Sequence, residues 1–280
     1  MLTRIVRAGA SSDRIRQLLE LAEEPSPQPG PAAPDGSGLS VEQVCFRYGE
    51  GAPVLSRLSF SLAGGQHAAL VCATGSGKST VAALLSGLYA PQSGRIQLDG
   101  RALQELSFPQ RRREIAIVPQ DCMLFSGTIR DNLRWGCPDA ADDRLWEALR
   151  AAQAEEFVRT LPGGLDAAVA QEGSSFSGGQ RQRLCIARAL AARPRLLILD
   201  DASSALDQRT EEALFAALRR CYPDTIVLTI THRIRAIPED WQILLLEGGV
   251  IRESGTRAEL LALDGAYCAL ARMQEKGGTE

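Results

Sequence analysis

The sequence predicts an α/β fold in which helices cover both faces of a largely parallel β-sheet. Short apolar strands alternate with amphipathic helices from about residue 66 onward, and these strands are too uniformly apolar to leave one face in water. Between residues 39 and 62 the apolar residues alternate instead, which predicts an additional antiparallel β subdomain. The region from about residue 121 to residue 192 is mainly helical in pattern, so we expect a helical subdomain inserted into the sheet.

The N-terminal segment is expected to lie outside the folded domain. Residues 11–24 carry apolar residues on one helical face, with Ser11 or Ser12 as a possible N-cap. Residues 25–34 contain five prolines, which make a stiff, extended connector. We therefore expect the chain to divide into a helix and linker at 1–38 and a folded domain at 39–280.

The remaining elements follow from apolar periodicity and from turn residues. The antiparallel strands are expected to carry Val41, Val44, Phe46 and Tyr48, then Val54–Leu62. Further strands are expected at Ala68–Val71, Arg95–Leu98, Glu114–Val118, Leu196–Leu199 and Thr225–Ile230, with a hairpin at Trp241–Leu246 and Val250–Glu253. Helices are expected at Asp142–Thr160, Gln180–Ala191, Thr210–Cys221 and Arg257–Gln274.

The stretch Gln66–Val81 has the order strand, Gly-rich turn and helix that is typical of a P-loop. Gly75 and Gly77 allow the backbone to curl, so that successive N–H groups point at phosphate oxygens. The positive end of the helix dipole is directed at the same place. Lys78 is predicted to reach the β- and γ-phosphates, and the Ser79 hydroxyl is predicted to bind Mg²⁺.

Cys72 departs from the P-loop motif, because it stands where the motif has a glycine. Cysteine is small, so we expect the loop to survive the change. The following helix is expected to present one apolar face made of Val81, Leu84, Leu85 and Leu88. The alternative interpretation is a Gly/Ser-rich turn that precedes a helix by chance, and the order of strand, loop and helix argues against it.

The composition excludes several classes of protein. Only Lys78 and Lys276 are lysines among 31 basic residues, so the chain uses its rare ammonium group where a backbone cradle needs a compact charge. A net charge of −3 gives no broad basic surface for nucleic acid. Seven scattered cysteines without a C-x-x-C pair suit reduced thiols in a cytosolic protein. No apolar run approaches the roughly 18–20 residues of a membrane span, and the N-terminus has no signal core, so the chain is predicted to be soluble.

A second candidate phosphate receptor precedes the predicted helix at 180–191. Ser177, Gly178, Gly179 and Gln180 place a serine and two glycines at a helix N-terminus, where free N–H groups and the dipole favour an anion. One nucleotide in the P-loop does not need a second receptor about a hundred residues away. We infer that it serves a nucleotide held by another copy or partner, while an ordinary Ser N-cap is the alternative.

With these motifs in place, the chain resembles the nucleotide-binding domain of an exporter-type ATP-binding cassette (ABC) transporter. The resemblance covers about Leu39 to Gln274 and implies a P-loop NTPase core. Its further matches to the family are the signature loop at Phe176–Gln180, with Phe for the usual Leu, Walker B at Leu196–Asp200 and the D-loop at Ser204–Asp207. Two more segments resemble exporters in particular: Leu124–Leu133, and Glu172-Gly173, which resembles a loop that touches the transmembrane partner.

The resemblance assigns roles to residues at these motifs. It implies that ATP contacts Tyr48, Thr74, Gly75, Ser76, Gly77, Lys78, Ser79, Thr80, Ser177, Gly178, Gly179, Gln180 and Asp207, and that Mg²⁺ contacts Ser79, Gln120 and Asp200. Tyr48 is expected to stack on adenine, and His232 to contact the γ-phosphate and the attacking water. A strand-end Asp or a lone His is otherwise more often structural than functional.

Asp201 is a departure from the family pattern, which places Glu directly after the Walker B Asp as the general base. A carboxylate drawn back by about 1 Å can reduce the rate about 10²-fold. The change resembles the degenerate half of heterodimeric exporters.

These observations predict an ATP-hydrolysing domain of an exporter at the cytoplasmic face of a membrane, with a second nucleotide-binding domain and a transmembrane domain as partners. The alternatives are a nucleotide-binding subunit with little hydrolysis and the ATPase subunit of another ABC system.

Overall fold

The computed structural model describes residues 38–72 and 76–276, together with Arg16, and for 275 and 276 it describes the backbone alone. Apart from Arg16, the predicted helix at 11–24 lies outside the described residues, as do the proline-rich connector and residues 73–75. No helix of the described part is both long enough and apolar enough to cross a bilayer.

The strands of the described chain are β1 (Gly38–Phe46), β2 (Leu55–Ala63), β3 (His67–Cys72), β4 (Ser93–Leu98), β5 (Arg101–Ala102), β6 (Ile115–Val118), β7 (Gly127–Thr128), β8 (Ala168–Val169), β9 (Leu196–Asp200), β10 (Ile226–Thr231), β11 (Gln242–Glu247) and β12 (Val250–Gly255). The helices are α1 (Lys78–Leu85), α2 (Phe108–Glu114), α3 (Ile129–Arg134), α4 (Asp142–Ala151), α5 (Glu155–Thr160), α6 (Gly178–Ala191), α7 (Gln208–Cys221), α8 (Arg257–Ala262) and α9 (Ala266–Lys276). Four short 3₁₀ turns lie at Leu103–Glu105, Gly164–Asp166, Gln171–Gly173 and Ile234–Ala236.

The central sheet has the strand order β12–β11–β3–β10–β9–β6, and every neighbouring pair except β11–β12 is parallel. A second, antiparallel sheet has the order β2–β1–β4–β5. The helices α3 to α6 lie between β6 and β9 in the chain, as an insertion. The predicted α/β fold, with its antiparallel β subdomain and inserted helices, is therefore confirmed.

Strand β9 shows why both faces of the central sheet are covered. Successive side chains of a strand point to opposite faces. Leu196 and Ile198 pack with the antiparallel sheet and α1, whereas Leu197 and Leu199 pack with the inserted helices and α7. All four side chains are fully buried. The strand therefore has no room for a polar residue until its last position, Asp200.

An ion pair joins the two sheets at the N-terminal end of β9, opposite Asp200. The Arg195 guanidinium donates to both carboxylate oxygens of Asp99, at 2.7 and 2.8 Å, and to the carbonyl of Asp224 at 2.7 Å. Asp99 also accepts a bond from the Gly38 N–H at 2.9 Å, where the antiparallel sheet begins. These bonds fix the antiparallel sheet against the parallel one.

Two predicted helices are wrong in extent. The expected helix at 142–160 is broken into α4 and α5 at Gln153, whose φ of 58° ends a right-handed helix. The expected terminal helix at 257–274 is broken into α8 and α9 near Asp264, whose φ is 47°. The region 121–192 is also not entirely helical, because β7 and β8 form a short hairpin within it.

The predicted apolar face of α1 is wrong at one position. Val81, Leu84 and Leu85 are buried as expected, but the helix ends at Leu85, and Gly87 then turns the chain with a φ of 73°. Leu88 follows this turn and is 73% exposed. The glycine two residues after the helix outweighs the apolar spacing that included Leu88.

His67 in β3 makes the stability of this fold sensitive to acid. Its ring packs edge-on against Trp241, with 5.3 Å between ring centroids, and burial lowers the pKa of the imidazole from 6.5 to about 4, with help from nearby Arg219. The native state therefore binds this proton less readily than the unfolded state. The associated stability is complete above pH 6.5 and is lost as the pH falls toward 4.

We expect His67→Phe to flatten this pH dependence. Between pH 6.5 and 4, the wild-type free energy of unfolding should fall with a slope that approaches about 1.4 kcal/mol per pH unit from this one group. Urea unfolding of wild type and variant, at half-unit steps from pH 7.5 to 4.5, measures the difference in slope. Equal slopes would show that His67 titrates alike in the native and unfolded states.

Candidate functional site

The register of the parallel strands brings the polar residues that follow them into one row. Val118 of β6 pairs with Leu199 of β9, and Asp200 pairs with Ile230 of β10. Two positions beyond each of Val118, Leu199 and Ile230 lie Gln120, Asp201 and His232. The carboxyl edge of a parallel sheet is where α/β proteins bind ligands. The structure thus collects these three predicted residues at that edge.

The P-loop helix begins at the neighbouring position of the same edge, after β3. Gly77 adopts a φ of 100° immediately before α1, and a Cβ there would lie 3.1 Å from the Leu55 side chain, so the turn requires glycine. Lys78 and Ser79 are the first two residues of α1, half-buried and exposed respectively. Their position at the helix N-terminus suits an anion. The predicted contacts Thr74 and Gly75 lie outside the described residues.

Cys72 is accommodated as the last residue of β3. It is 3% exposed, and burial raises the pKa of its thiol to about 11, although a bond with Ser76 and the charge of Lys78 oppose the rise. The thiol therefore stays neutral at physiological pH and adds no negative charge beside the phosphate loop.

Asp201 and His232 form a contact pair in the row. His232 Nδ1 lies 3.1 Å from each carboxylate oxygen of Asp201, in bonding geometry with Oδ2. The carboxylate is only 6% exposed, whereas the imidazole is 58% exposed. Asp201 Oδ1 has no hydrogen-bond partner among the described residues, which leaves a buried acceptor available to a water molecule.

The backbone of Asp201 has an unusual conformation. Its φ is 48°, in the left-handed region, and its N–H donates to the Ile230 carbonyl at 2.8 Å. Aspartate is several-fold enriched in that region compared with other non-glycine residues. The bond to β10 and the left-handed turn together aim the short carboxylate at His232.

Asp200 supplies the second carboxylate of the edge. Burial raises the pKa of this carboxyl, the adjacent Asp201 charge raises it further, and Lys78 lowers it. Two neighbouring carboxylates therefore outweigh one ammonium group, and the site favours a further cation. Ser79, Gln120 and Asp200 offer hydroxyl, amide and carboxylate oxygens, the hard donors that Mg²⁺ prefers. Among the described residues no group of three or more His, Cys, Asp or Glu could hold a metal, so phosphate oxygens would have to complete the shell.

Tyr48 lies just beyond β1 and not on it, so its predicted strand position is wrong. Its hydroxyl bonds to the hydroxyl of Thr80 in α1 at 3.2 Å, and Phe46 and Tyr89 pack against its ring nearly edge-on. The ring is 45% exposed. An exposed ring tied to the P-loop helix is suited to stack on a planar base, while the hydroxyl of Thr80 is engaged by Tyr48 and not free.

The second receptor has the predicted helix N-terminus. Ser177 caps α6 by accepting a bond from the Gln180 N–H, and the Gln180 side chain accepts a bond from the Ser177 N–H at 3.0 Å. This capping box leaves the N–H groups of Gly178 and Gly179 at the open end of the helix. The anion receptor and the ordinary N-cap are therefore compatible interpretations of the same residues.

The D-loop is tied to the start of α6 by a contact that the sequence analysis missed. Gln182 is 3% exposed and accepts a bond from the Ala205 N–H at 3.1 Å, and a Cβ on Gly179 would lie 3.1 Å from the Ala205 carbonyl. A polar residue on the helical stripe of Ile186 could have signalled this buried bond. Asp207, predicted to contact nucleotide, caps α7 through Thr210, whose N–H lowers the pKa of its carboxyl.

Known proteins match the chain over this whole arrangement. The sequence profile described as "ABC transporter" matches residues 55–204. A "Fatty acid ABC transporter ATP-binding/permease protein" of Mycobacterium bovis is 41% identical over 264 residues, which cover 94% of this chain and 42% of that protein. An "ATP-dependent lipid A-core flippase" of Chromohalobacter salexigens is 44% identical over 245 residues, which cover 87% of this chain and 42% of that protein.

A solved structure has the same fold. The structure of a bacterial Atm1-family ABC exporter with ATP bound superimposes with a TM-score of 0.86 and 34% sequence identity, covering 98% of this chain and 48% of that one. The chain therefore spans less than half the length of the relatives it matches.

Proposed function

The chain belongs to the ABC transporter family, and from this we propose that it is the ATP-binding and ATP-hydrolysing domain of an exporter. Two such domains would sandwich two ATP molecules, each between the P-loop of one copy and the signature loop of the other. The observation that carries the proposal is that two segments suited to bind phosphate, at Lys78 and at Ser177, each lie at their own helix N-terminus on one chain. One bound nucleotide occupies only one of them.

Nucleotide binding would use residues that lie around the start of α1. The backbone from Thr74 to Gly77 would cradle the phosphates, Lys78 would bind the β- and γ-phosphates, and Tyr48 would stack on adenine. Ser177, Gly178 and Gly179 of the opposite copy would bind the γ-phosphate from the other side. Asp207 of the D-loop would lie at the same interface.

Hydrolysis would use the row at the sheet edge. The buried Oδ1 of Asp201 would accept a hydrogen bond from the attacking water, and His232 would contact both this water and the γ-phosphate. Gln120 would orient the water from β6. Ser79, Asp200 and Gln120 would hold Mg²⁺, which neutralises charge on the phosphates when it is bound.

A nucleotide-binding subunit with weak hydrolysis is the alternative, and Asp201 favours it. The Asp201 side chain is one methylene shorter than that of Glu, and its carboxylate bonds to His232. Such a subunit would bind ATP and close the dimer, while its signature loop completes a competent site on a partner chain. The ATPase subunit of another ABC system is the second alternative, and the exporter-like Glu172 loop argues against it.

The membrane partner would dock in an apolar groove between α2 and the inserted helices. Phe108 and Trp135 are 47% and 59% exposed, and Trp135 stacks on Phe125 with 4.2 Å between ring centroids. The cavity there measures about 590 Å³, and it is also lined by Arg112 and Arg188. Exposed aromatic surface of this kind is typical of an interaction site. We assign the groove to a cytoplasmic segment of the transmembrane domain, because the relatives are more than twice as long as this chain.

The proposed docking also implies domain boundaries and a location for the chain. Residues 1–38 would be the end of the transmembrane domain and its linker, and 39–280 the nucleotide-binding domain, with the inserted helices at about 121–192 as its helical subdomain. The domain would lie at the cytoplasmic face of the membrane.

The length of the Asp201 side chain is the first testable point. Asp201→Glu should raise ATP turnover by about 10-fold, because the longer carboxylate would lie closer to the attacking water than that of Asp201 does, while the affinity for ATP changes little. Asp201→Asn, which is matched in size, should abolish the remaining hydrolysis. Steady-state ATPase assays at protein concentrations that favour the dimer, with fluorescent-nucleotide binding in parallel, measure both effects. Unchanged turnover in Asp201→Glu would rule out a degenerate site at this position.

The groove gives a second prediction. In the complex with its transmembrane domain, Trp135→Asp should abolish transport in vesicles and leave the ATPase activity of the isolated domain within about twofold of wild type, since the Trp135 ring stacks on Phe125 and lines the groove. Leu263→Asp is the matched control, because Leu263 is 66% exposed and lies far along the chain from the groove. Equal transport by both variants and wild type would contradict docking in the groove.

A further inference from the structure

The loop after β10 carries His232 and is held by two C-terminal helices. We call residues 232–236 the switch loop. From α9, the Gln274 side chain accepts a bond from the Ile234 N–H at 3.2 Å and donates a bond to the His232 carbonyl. From α8, the Arg257 guanidinium donates a bond to the Ile234 carbonyl. The backbone of the switch loop is therefore bonded to side chains that lie 23 or more positions further along the chain.

The opposite side of the switch loop faces residues that follow β9 and the first turn of α7. His232 contacts the buried carboxylate of Asp201. Arg233 donates to the Ser203 carbonyl at 3.4 Å and lies 3.7 Å from the carboxylate of Glu211, which is 5% exposed. The loop is thus clamped between the nucleotide edge of the sheet and the C-terminal helices.

The amide of Gln274 suits the two bonds that it makes. A primary amide offers an acceptor oxygen and a donor nitrogen on the same planar group. The oxygen faces an N–H group and the nitrogen faces a carbonyl two residues earlier, so the amide spans the turn that begins at His232. Moving α9 would therefore move the His232 carbonyl, and with it the imidazole relative to Asp201.

We propose that Gln274 is a positioning residue for His232, so that the C-terminal helix α9 sets where the His232 imidazole lies relative to Asp201. This inference rests on the proposed function of His232 in ATP hydrolysis. The hydrogen bonds of Gln274 among the described residues go to the backbone of the switch loop, so it acts on His232 through that backbone. The position of α9 then becomes a means of adjusting turnover without changing how tightly ATP is bound.

Kinetics of three variants test the proposal. Gln274→Ala removes both bonds, and Gln274→Glu keeps the acceptor but places a carboxylate against the His232 carbonyl. Both should lower kcat about 10-fold with KM for ATP within about twofold of wild type, because a misplaced hydrolytic group acts mainly in the transition state. Met273→Ala is the matched control on the same helix, since Met273 is 65% exposed, and it should behave as wild type.

A double-mutant cycle separates positioning from general stability. In a His232→Ala background, Gln274→Ala should cause no further loss of kcat, because the group that it positions is absent. An additional loss of the same size in that background would overturn the proposal, since Gln274 would then act independently of His232.

Histidine NMR provides a readout that does not need hydrolysis. The chain has two histidines, His67 and His232, so the imidazole C2–H spectrum contains two lines, which His67→Phe assigns. Gln274→Ala should shift the His232 line and leave the His67 line in place. An unchanged His232 line in Gln274→Ala would overturn the proposal, whether or not the wild-type domain hydrolyses ATP. A shifted His232 line together with a wild-type domain that does not hydrolyse ATP would count against the proposed function alone.

Discussion

The parallel pairing of four strands, β3, β10, β9 and β6, is the constraint on which the site depends. These strands are mostly apolar and β3, β10 and β9 are almost entirely buried, so charged side chains appear only where β9 ends, while Thr229 and His67 are the uncharged polar residues inside β10 and β3. Register then fixes which ends are neighbours. Gln120 lies two residues beyond β6, and Asp201 and His232 directly follow β9 and β10, so one ladder of backbone bonds brings together three side chains that are up to 112 positions apart.

The Asp201–His232 contact shows what this alignment demands of individual residues. A buried carboxylate oxygen without a partner is unfavourable, by about 1–3 kcal/mol in typical proteins, and persists where function or surrounding structure requires it. Here the N–H bond from Asp201 to Ile230 and the left-handed backbone hold the carboxylate in place. The same conformation suits Asp better than longer side chains. Asp201, which departs from the family pattern, is therefore well suited to its own backbone conformation. Its effect on turnover depends on how closely its carboxylate approaches the attacking water.

Local pattern predicted the fold and the strand ends and helix N-termini that form the candidate site, because apolar strands, glycine turns and helix caps are encoded within a few residues. Lys78 and Ser177 were expected at the starts of helices for that reason, and each lies at a helix N-terminus. The break at Gln153 was missed because a single left-handed residue ends the helix with no glycine beside it, and the break at Asp264 was missed because the apolar periodicity was followed across Gly265. The bonds of Gln182 to Ala205 and of Gln274 to the switch loop were beyond prediction, since each joins segments whose proximity depends on the complete fold.

Sedimentation velocity of Ser177→Arg tests most directly the central claim that the two phosphate receptors act on nucleotides held by different copies. The wild-type domain should be monomeric without nucleotide and should dimerise in MgATP, because ATP completes the interface. Ser177→Arg should bind fluorescent ATP with wild-type affinity yet remain monomeric at the same concentrations. Loss of ATP binding by monomeric Ser177→Arg would contradict the claim, since the receptor would then serve the nucleotide of its own chain.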